Sequence, residues 1–265
     1  MKRWSLGVLC ALLLFCGMGS ALAAPTYTEQ QLQAGEALAQ KAIQASQQGD
    51  LQAAERDWTQ LIEQFPDNPA VWSNRGSVRV SQNHLEEAIA DFNRAIELAP
   101  YAPDPYLNRG TAYEGQSRYE DAIADYNKVL DLNPNDAAAY NNRGNAEAGR
   151  GQWQDAIADY RKAADLDRNF AFARVNYALA LYQTGSTPEA LAAMRNLVRK
   201  YPMFPDARAA LAAALWEQKQ QGEAESNWVA AIGIDKRYQD LDWVQNVRRW
   251  PPAMVAALQK FLNIE

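Results

Sequence analysis

Side-chain amides recur at Gln40, Asn74, Asn108, Asn142 and Asn176, each 34 residues after the last. A primary amide donates and accepts hydrogen bonds at once, so a row of them can hold the backbone of an extended peptide whatever its side chains. Directly after four of these amides stand cations, Lys41, Arg75, Arg109 and Arg143, and sixteen residues beyond each cation stands an aspartate: Asp57, Asp91, Asp125 and Asp159. The next two blocks lose both columns together, with Tyr177 and Leu211 in place of the cations and Ala193 and Asn227 in place of the aspartates. Charges that appear and vanish together predict the pairs Lys41–Asp57, Arg75–Asp91, Arg109–Asp125 and Arg143–Asp159, because a cation on a packed helix surface is costly without a partner. Guanidinium against carboxylate can make two parallel bonds and so fix the rotation of one helix against another. Pairing across block boundaries would instead join Asp57 to Arg75 and strand Lys41 and Asp159.

Covalent or metal chemistry has little to work with. The chain holds one histidine, His84, and two cysteines, Cys10 and Cys16, both near the N-terminus. No nucleophile, base and stabiliser stand together, and His84 falls where a turn is expected. His/Cys metal sites lack the ligands, and no glycine-rich phosphate loop follows a strand. The expectation is a non-enzyme with no catalytic residue, no metal and no cofactor.

These residues need elements to position them. Apolar side chains recur at steps of three and four, as in Tyr119, Ala122, Ile123, Tyr126, Val129 and Leu130, which places them on one face of a helix. Six blocks without insertion begin at Gly35, Pro69, Pro103, Ala137, Ala171 and Pro205 and end at Tyr238. Their eighth residues are Ala42, Gly76, Gly110, Gly144, Ala178 and Ala212, small enough for two helices to approach closely; their twentieth residues are all alanine, from Ala54 to Ala224. The twenty-fourth are bulky: Trp58, Phe92, Tyr126, Tyr160, Met194 and Trp228. Turn-forming stretches such as Gln48-Gly49-Asp50 and Gly149-Arg150-Gly151 split each block into two antiparallel helices, and Pro100, Pro134 and Pro202 stop the second helix. The fold class is all-α.

A period of 34 with small residues at eight and twenty, an aromatic at twenty-four and proline at thirty-two resembles the tetratricopeptide repeat (TPR) family. The resemblance implies a right-handed superhelix of six helix pairs with a C-terminal capping helix. It puts the sixth block position on a concave groove lined by first helices, where asparagine ladders in similar proteins hold peptide backbones. On that basis Asn74, Asn108, Asn142, Asn176 and Gln40 are candidate peptide-binding residues. The alternative is an ordinary solvated helix face, with Asn141 and Asn145 as signs of a general preference. The other family groove positions hold Glu36, Asp104, Glu114, Asp206 and Glu217 and no lysine or arginine, which departs from TPR proteins that clamp a C-terminal carboxylate with cations. Toward the C-terminus the same positions become Phe172, Val175, Leu179, Tyr182 and Trp216. Phe172, Tyr182 and Trp216 are therefore candidate contacts for an apolar anchor, unless a terminal helix covers them. The implied partner is a protein or peptide, neutral or basic and extended.

Both ends differ from the repeats. Residues 1–23 combine Lys2 and Arg3, an apolar run from Leu6 to Cys16 and a small-residue end at Ala21-Leu22-Ala23, the layout of an export signal cut after Ala23. An uncleaved anchor is the alternative, although the run is shorter than the roughly 20 residues a span needs. A lipoprotein signal fits poorly because Phe15 precedes Cys16. Cleavage takes the formal charge from −6 to −8, since Lys2 and Arg3 leave with no acid, and removes both cysteines. Such an acidic chain is a poor nucleic-acid ligand. The organisation read from sequence is a signal at 1–23, a lead-in at 24–34, repeats at 35–68, 69–102, 103–136, 137–170, 171–204 and 205–238, and a capping segment at 239–265. In that segment Arg248-Arg249-Trp250-Pro251-Pro252 precedes an apolar helix from Ala253 to Leu262, similar to the tail of some TPR proteins of cyanobacteria and chloroplasts. The expected place is outside the cytoplasm, the periplasm or, in a photosynthetic cell, the thylakoid lumen, with membrane contact only through a partner or an uncleaved signal. The expected role is an interaction scaffold, of which an assembly factor for a membrane complex is one form. A self-associating array, a homo-oligomer joined through the apolar end of the groove, is the alternative.

Overall fold

A computed structural model describes residues 27–263, and the expected signal at 1–23 lies outside them. The chain divides into two compact units, one up to Leu132 and one from Asn133. The described residues form helices and no strand, and none of these helices is long and apolar enough to cross a membrane.

The N-terminal unit is three helical hairpins: α1 (Glu29–Gln48) with α2 (Leu51–Gln64), α3 (Pro69–Ser81) with α4 (Leu85–Leu98), and α5 (Pro103–Gly115) with α6 (Tyr119–Leu132). The C-terminal unit repeats the plan with α7 (Ala137–Gly149) and α8 (Trp153–Leu166), α9 (Ala171–Gln183) and α10 (Thr187–Lys200), and α11 (Pro205–Glu217) and α12 (Gln221–Ile234). A 3-10 turn (Lys236–Gln239), a π-turn (Trp243–Val247) and α13 (Pro252–Leu262) follow.

Local chemistry explains the boundaries. Pro69, Pro103 and Pro205 open their helices where a missing N–H costs nothing. Asn68, Asp50 and Asp136 cap by accepting from Ala70, Ala53 and Ala139 N–H groups. Each hairpin turns on one left-handed residue at an equivalent place. Glycine fills three of these sites, Gly49, Gly151 and Gly185, while Asn83, Ser117 and Lys219 adopt the same positive φ with a side chain attached. Helix α1 starts at Glu29, ahead of Gly35, because Thr28 and Gln31 form a reciprocal capping box and Tyr27 packs edge-on against Phe65 at 4.8 Å.

In the three hairpins whose eighth residue is glycine, that residue meets the bulky twenty-fourth. A Cβ on Gly76 would fall 2.8 Å from the Phe92 ring, on Gly110 2.6 Å from Tyr126 and on Gly144 2.9 Å from Tyr160. Those rings fill the space a side chain would need, so the glycines set how closely the two helices pack.

The segment after the repeats does not continue the stack. Helix α13 lies against α11 and reaches α9, so it covers first helices. Trp250, Met254, Val255, Leu258 and Phe261 join the core of this unit, at about 1.5–3 kcal/mol for each large apolar side chain taken from water. Helix α11 accordingly has no solvent-facing stripe through its middle: Ala209, Ala210, Leu211, Ala212, Ala213, Ala214 and Leu215 are all buried.

Candidate functional site

The predicted within-block pairs are all made. Lys41 Nζ donates to Asp57 Oδ1 at 3.1 Å. The arginines form forks: Arg75 to Asp91 at 2.9 and 2.7 Å, Arg109 to Asp125 at 2.8 and 2.6 Å, and Arg143 to Asp159 at 2.6 and 2.8 Å. Each guanidinium also lies over the ring three residues before it, Trp72, Tyr106 or Tyr140. In the N-terminal unit a third bond ties each fork to the preceding hairpin, from Arg75 Nη1 to Thr59 and from Arg109 Nη1 to Asn93. The cation column therefore locks helices together. The hydrogen bond to Asp125 holds the Arg109 guanidinium above its ordinary pKa, against the opposing effect of its burial.

The amides divide into two groups. In the N-terminal unit Asn74 on α3 and Asn108 on α5 occupy the same place in neighbouring first helices that touch, and both are half-buried. Neither side chain makes a hydrogen bond to another described residue. Gln40 is exposed on α1. Around them Ser77, Ser81 and Thr111 turn their hydroxyls back onto carbonyls of their own helices, leaving the primary amides as the groups able to reach outward. Farther along α5, Glu114 is buried and accepts from the Tyr126 hydroxyl at 2.5 Å. Burial first, and then the Glu114 charge, raise the Tyr126 pKa.

In the C-terminal unit the amides bond to each other. Asn176 Nδ2 donates to Asn141 Oδ1 at 3.1 Å and to Asn145 Oδ1 at 3.2 Å, Asn141 Nδ2 donates to Asn142 Oδ1 at 3.2 Å, and the Tyr160 hydroxyl donates to Asn145. Asn141 and Asn145 are thus members of a network joining α7 to α9, beyond any general preference for polar residues. Their places one turn apart beside Asn142, opposite Asn176 in the next block, were the available sequence signal.

The apolar candidates separate in the same unit. Phe172 is 48% exposed, edge-on to Phe204 at 5.3 Å and beneath the Arg248 guanidinium. Tyr182 is buried, and its hydroxyl donates to Glu217. Trp216 packs edge-on against Phe261 of α13 at 5.5 Å. Tyr182 is therefore part of the core and Trp216 is partly covered; the terminal helix takes that space because these rings and Met254 and Leu258 remove one another from water.

What holds the tail was not legible in its apolar spacing. Arg248 forks onto Asp206 with bonds of 3.0 and 2.6 Å, and Trp250 Nε1 donates to the same carboxylate at 3.2 Å. Lys260 donates to Glu217 at 2.6 Å, and the Ala253 backbone N–H donates to Gln183 Oε1 at 2.8 Å. Lys260 first, and Tyr182 second, hold the Glu217 carboxyl below its usual range. Asp206 and Glu217 are two of the acids placed on the groove by family position, and both are consumed internally. Among the described residues no group of three or more His, Cys, Asp or Glu is arranged to hold a metal.

Repeated hairpins, small-against-bulky packing and a first-helix face of amides define a class of repeat protein, and a tetratricopeptide repeat family model matches residues 33–103, 107–170 and 176–236. The chain belongs to the TPR family. No curated protein sequence matches it. Among solved structures, a TPR protein from Parabacteroides merdae ATCC 43184 is 20% identical over 87% of this chain and 92% of its own, with a TM-score of 0.64. YrrB, described as a TPR protein with an unusual peptide-binding site, is 23% identical over 68% of this chain and 92% of its own, with a TM-score of 0.53. The Cut9–Hcn1 hetero-tetramer of the APC/C matches at 16% identity and a TM-score of 0.69, over 87% of this chain and 43% of the matched chain. At these identities the likeness is one of fold.

Proposed function

We propose that the protein is a non-catalytic interaction scaffold that takes an extended peptide or partner segment on its first-helix face, with the amides of Asn74 and Asn108 holding the partner's backbone. The observation that carries this reading is that these two amides sit at equivalent places on adjacent helices and are engaged by no other described residue. A family relative by fold, YrrB, is described as binding a peptide, which is consistent with it. Work outside the cytoplasm, in a periplasm or thylakoid lumen, is part of the same proposal and rests on residues 1–23; assembly of a membrane or photosynthetic complex is one form of it. The self-associating alternative drew on an apolar C-terminal groove, and the chain's own α13 occupies that surface.

The test is the double variant Asn74→Ala/Asn108→Ala probed on an array of extended peptides. Binding should fall about tenfold or more, the scale of one or two lost backbone hydrogen bonds in a closed interface, while the melting temperature stays near that of the parent. Peptide binding unchanged by the double variant would reduce the amides to plain surface. For export, mass spectrometry of the protein recovered from the envelope should give a chain beginning at Ala24; a retained N-terminus in a cytoplasmic fraction refutes that part.

A further inference from the structure

The C-terminal unit already holds an occupant on its first-helix face, supplied by its own chain. Asp206 is the second residue of α11, directly after Pro205, and receives both the Arg248 guanidinium and the Trp250 indole N–H. Gln183, at the far end of the neighbouring first helix α9, receives a backbone N–H from the same stretch. The recognition unit is thus an arginine and an aromatic two residues apart on one carboxylate, followed by a backbone group on an amide.

The N-terminal unit presents the same acceptor without an occupant. Asp104 is the second residue of α5, directly after Pro103, in the block position of Asp206. It is exposed and makes no ion pair with another described residue. One turn along the same helix lies Asn108, with Asn74 at the matching place on α3. Lysine and arginine are absent from the block positions that form this face on α1, α3 and α5, and Glu36 adds a second exposed carboxylate. A cation arriving there meets complementary charge and no competitor.

We propose that the first-helix face of the N-terminal unit binds a partner segment carrying an arginine two residues before an aromatic, with Asp104 as the arginine receptor and Asn108 and Asn74 holding the backbone beyond it. This rests on the scaffold reading above and gives its partner a chemistry. The two faces also differ in a way that limits the match. Where α11 offers Ala209, Ala210 and Ala213 to an apolar helix, α5 offers Leu107, Asn108 and Thr111. The segment taken there is therefore extended and polar past its aromatic, without the helix that follows Pro252 in the internal case.

The experiment uses the full chain and a fluorescein-labelled peptide that keeps the sequence of residues 246–250, with its Arg248-Arg249-Trp250 run, and continues in Ser-Gln-Ser instead of residues 251–253, so that it is polar past the aromatic and keeps its backbone N–H groups. Fluorescence polarisation should show saturable binding that weakens with salt. Asp104→Asn should weaken it about tenfold, as expected for one charge-assisted fork, and a peptide with both arginines replaced by glutamine should bind weakly and alike to parent and variant. Because the probe could displace the internal tail, Asp206→Asn is measured in parallel: a loss confined to that variant, with Asp104→Asn equal to parent, overturns the proposal, as does a parent chain that shows no binding. If Asp104→Asn leaves binding untouched while the Asn74/Asn108 variant loses its array peptides, this inference fails and the scaffold reading stands.

Discussion

Asp104 and Asp206 share a residue type, a helix position and a preceding proline, yet one is open to solvent and the other lies buried beneath an arginine and a tryptophan. The difference arises about forty residues downstream of Asp206, where the chain turns back and lays α13 across α11. The same contrast runs through the amides: Asn74 and Asn108 are half-buried and bonded to no other described residue, whereas Asn176 is bonded to Asn141 and Asn145. A repeat position therefore states what a side chain could do, and its neighbours in space decide whether it is left to do it.

The strongest way to break this contrast is to loosen the lid. Leu258→Ala removes a fully buried side chain and should cost about 2–5 kcal/mol, read as a drop in denaturation midpoint. Hydrogen exchange should accelerate in α11 and α13 with α3 and α5 little changed; equal acceleration everywhere would mean the tail does not act on one unit. Next in size, Asp206→Ala should cost about 3 kcal/mol, the low end for a broken buried pair because Arg248 keeps 24% of its side chain in solvent, while Asp104→Ala should move stability by no more than about 0.5 kcal/mol. Equal losses would erase the distinction drawn here.

A second positional pair sharpens the comparison through pH. The eleventh block position holds Arg79 in α3, which adds a second cation to Asp91 at 2.9 Å and a bond to Glu55 at 2.8 Å. In α7 the same position holds Glu147, set beside the Asp159 carboxylate with one oxygen buried and unpartnered. Burial first, then Asp159 and Asp155, push its pKa up to about 7 against the pull of Arg143 and Arg150. A carboxyl whose folded pKa is raised binds its proton more tightly in the native state, so its contribution is fully present below the unfolded value of 4.5 and is lost as pH rises toward 7. Glu147→Gln should therefore raise the melting temperature at pH 8 and leave it nearly unchanged at pH 4.5. An equal gain at both would show that charge is not the cause. A last effect concerns turns: Ser117→Gly relieves a left-handed φ of 58° that Gly49, Gly151 and Gly185 adopt freely, and should add about 0.5–1 kcal/mol.

Much of the fold is legible before any coordinates. Small residues at eight and bulky ones at twenty-four specify a close hairpin because no other pairing fills the space, as Gly110 beneath Tyr126 shows. The four ion pairs follow from columns that change together, since a carboxylate and a cation held sixteen residues apart meet only if two helices fold back on each other. Helix α1 began ahead of its block because a capping box obeys local chemistry and no repeat frame.

The sequence by itself determined the repeat, its hairpins and the residues that lock them, because those contacts join positions at fixed short separations and every block states them again. Only the tertiary structure decided which groove residues stay available. Trp216, Asp206 and Glu217 met their partners across 43 to 45 residues, from a tail that occurs once and has no period to betray it. A contact made once between distant segments depends on where the chain's end comes to rest, and that is settled by how much apolar surface α13 can bury on α11 and α9.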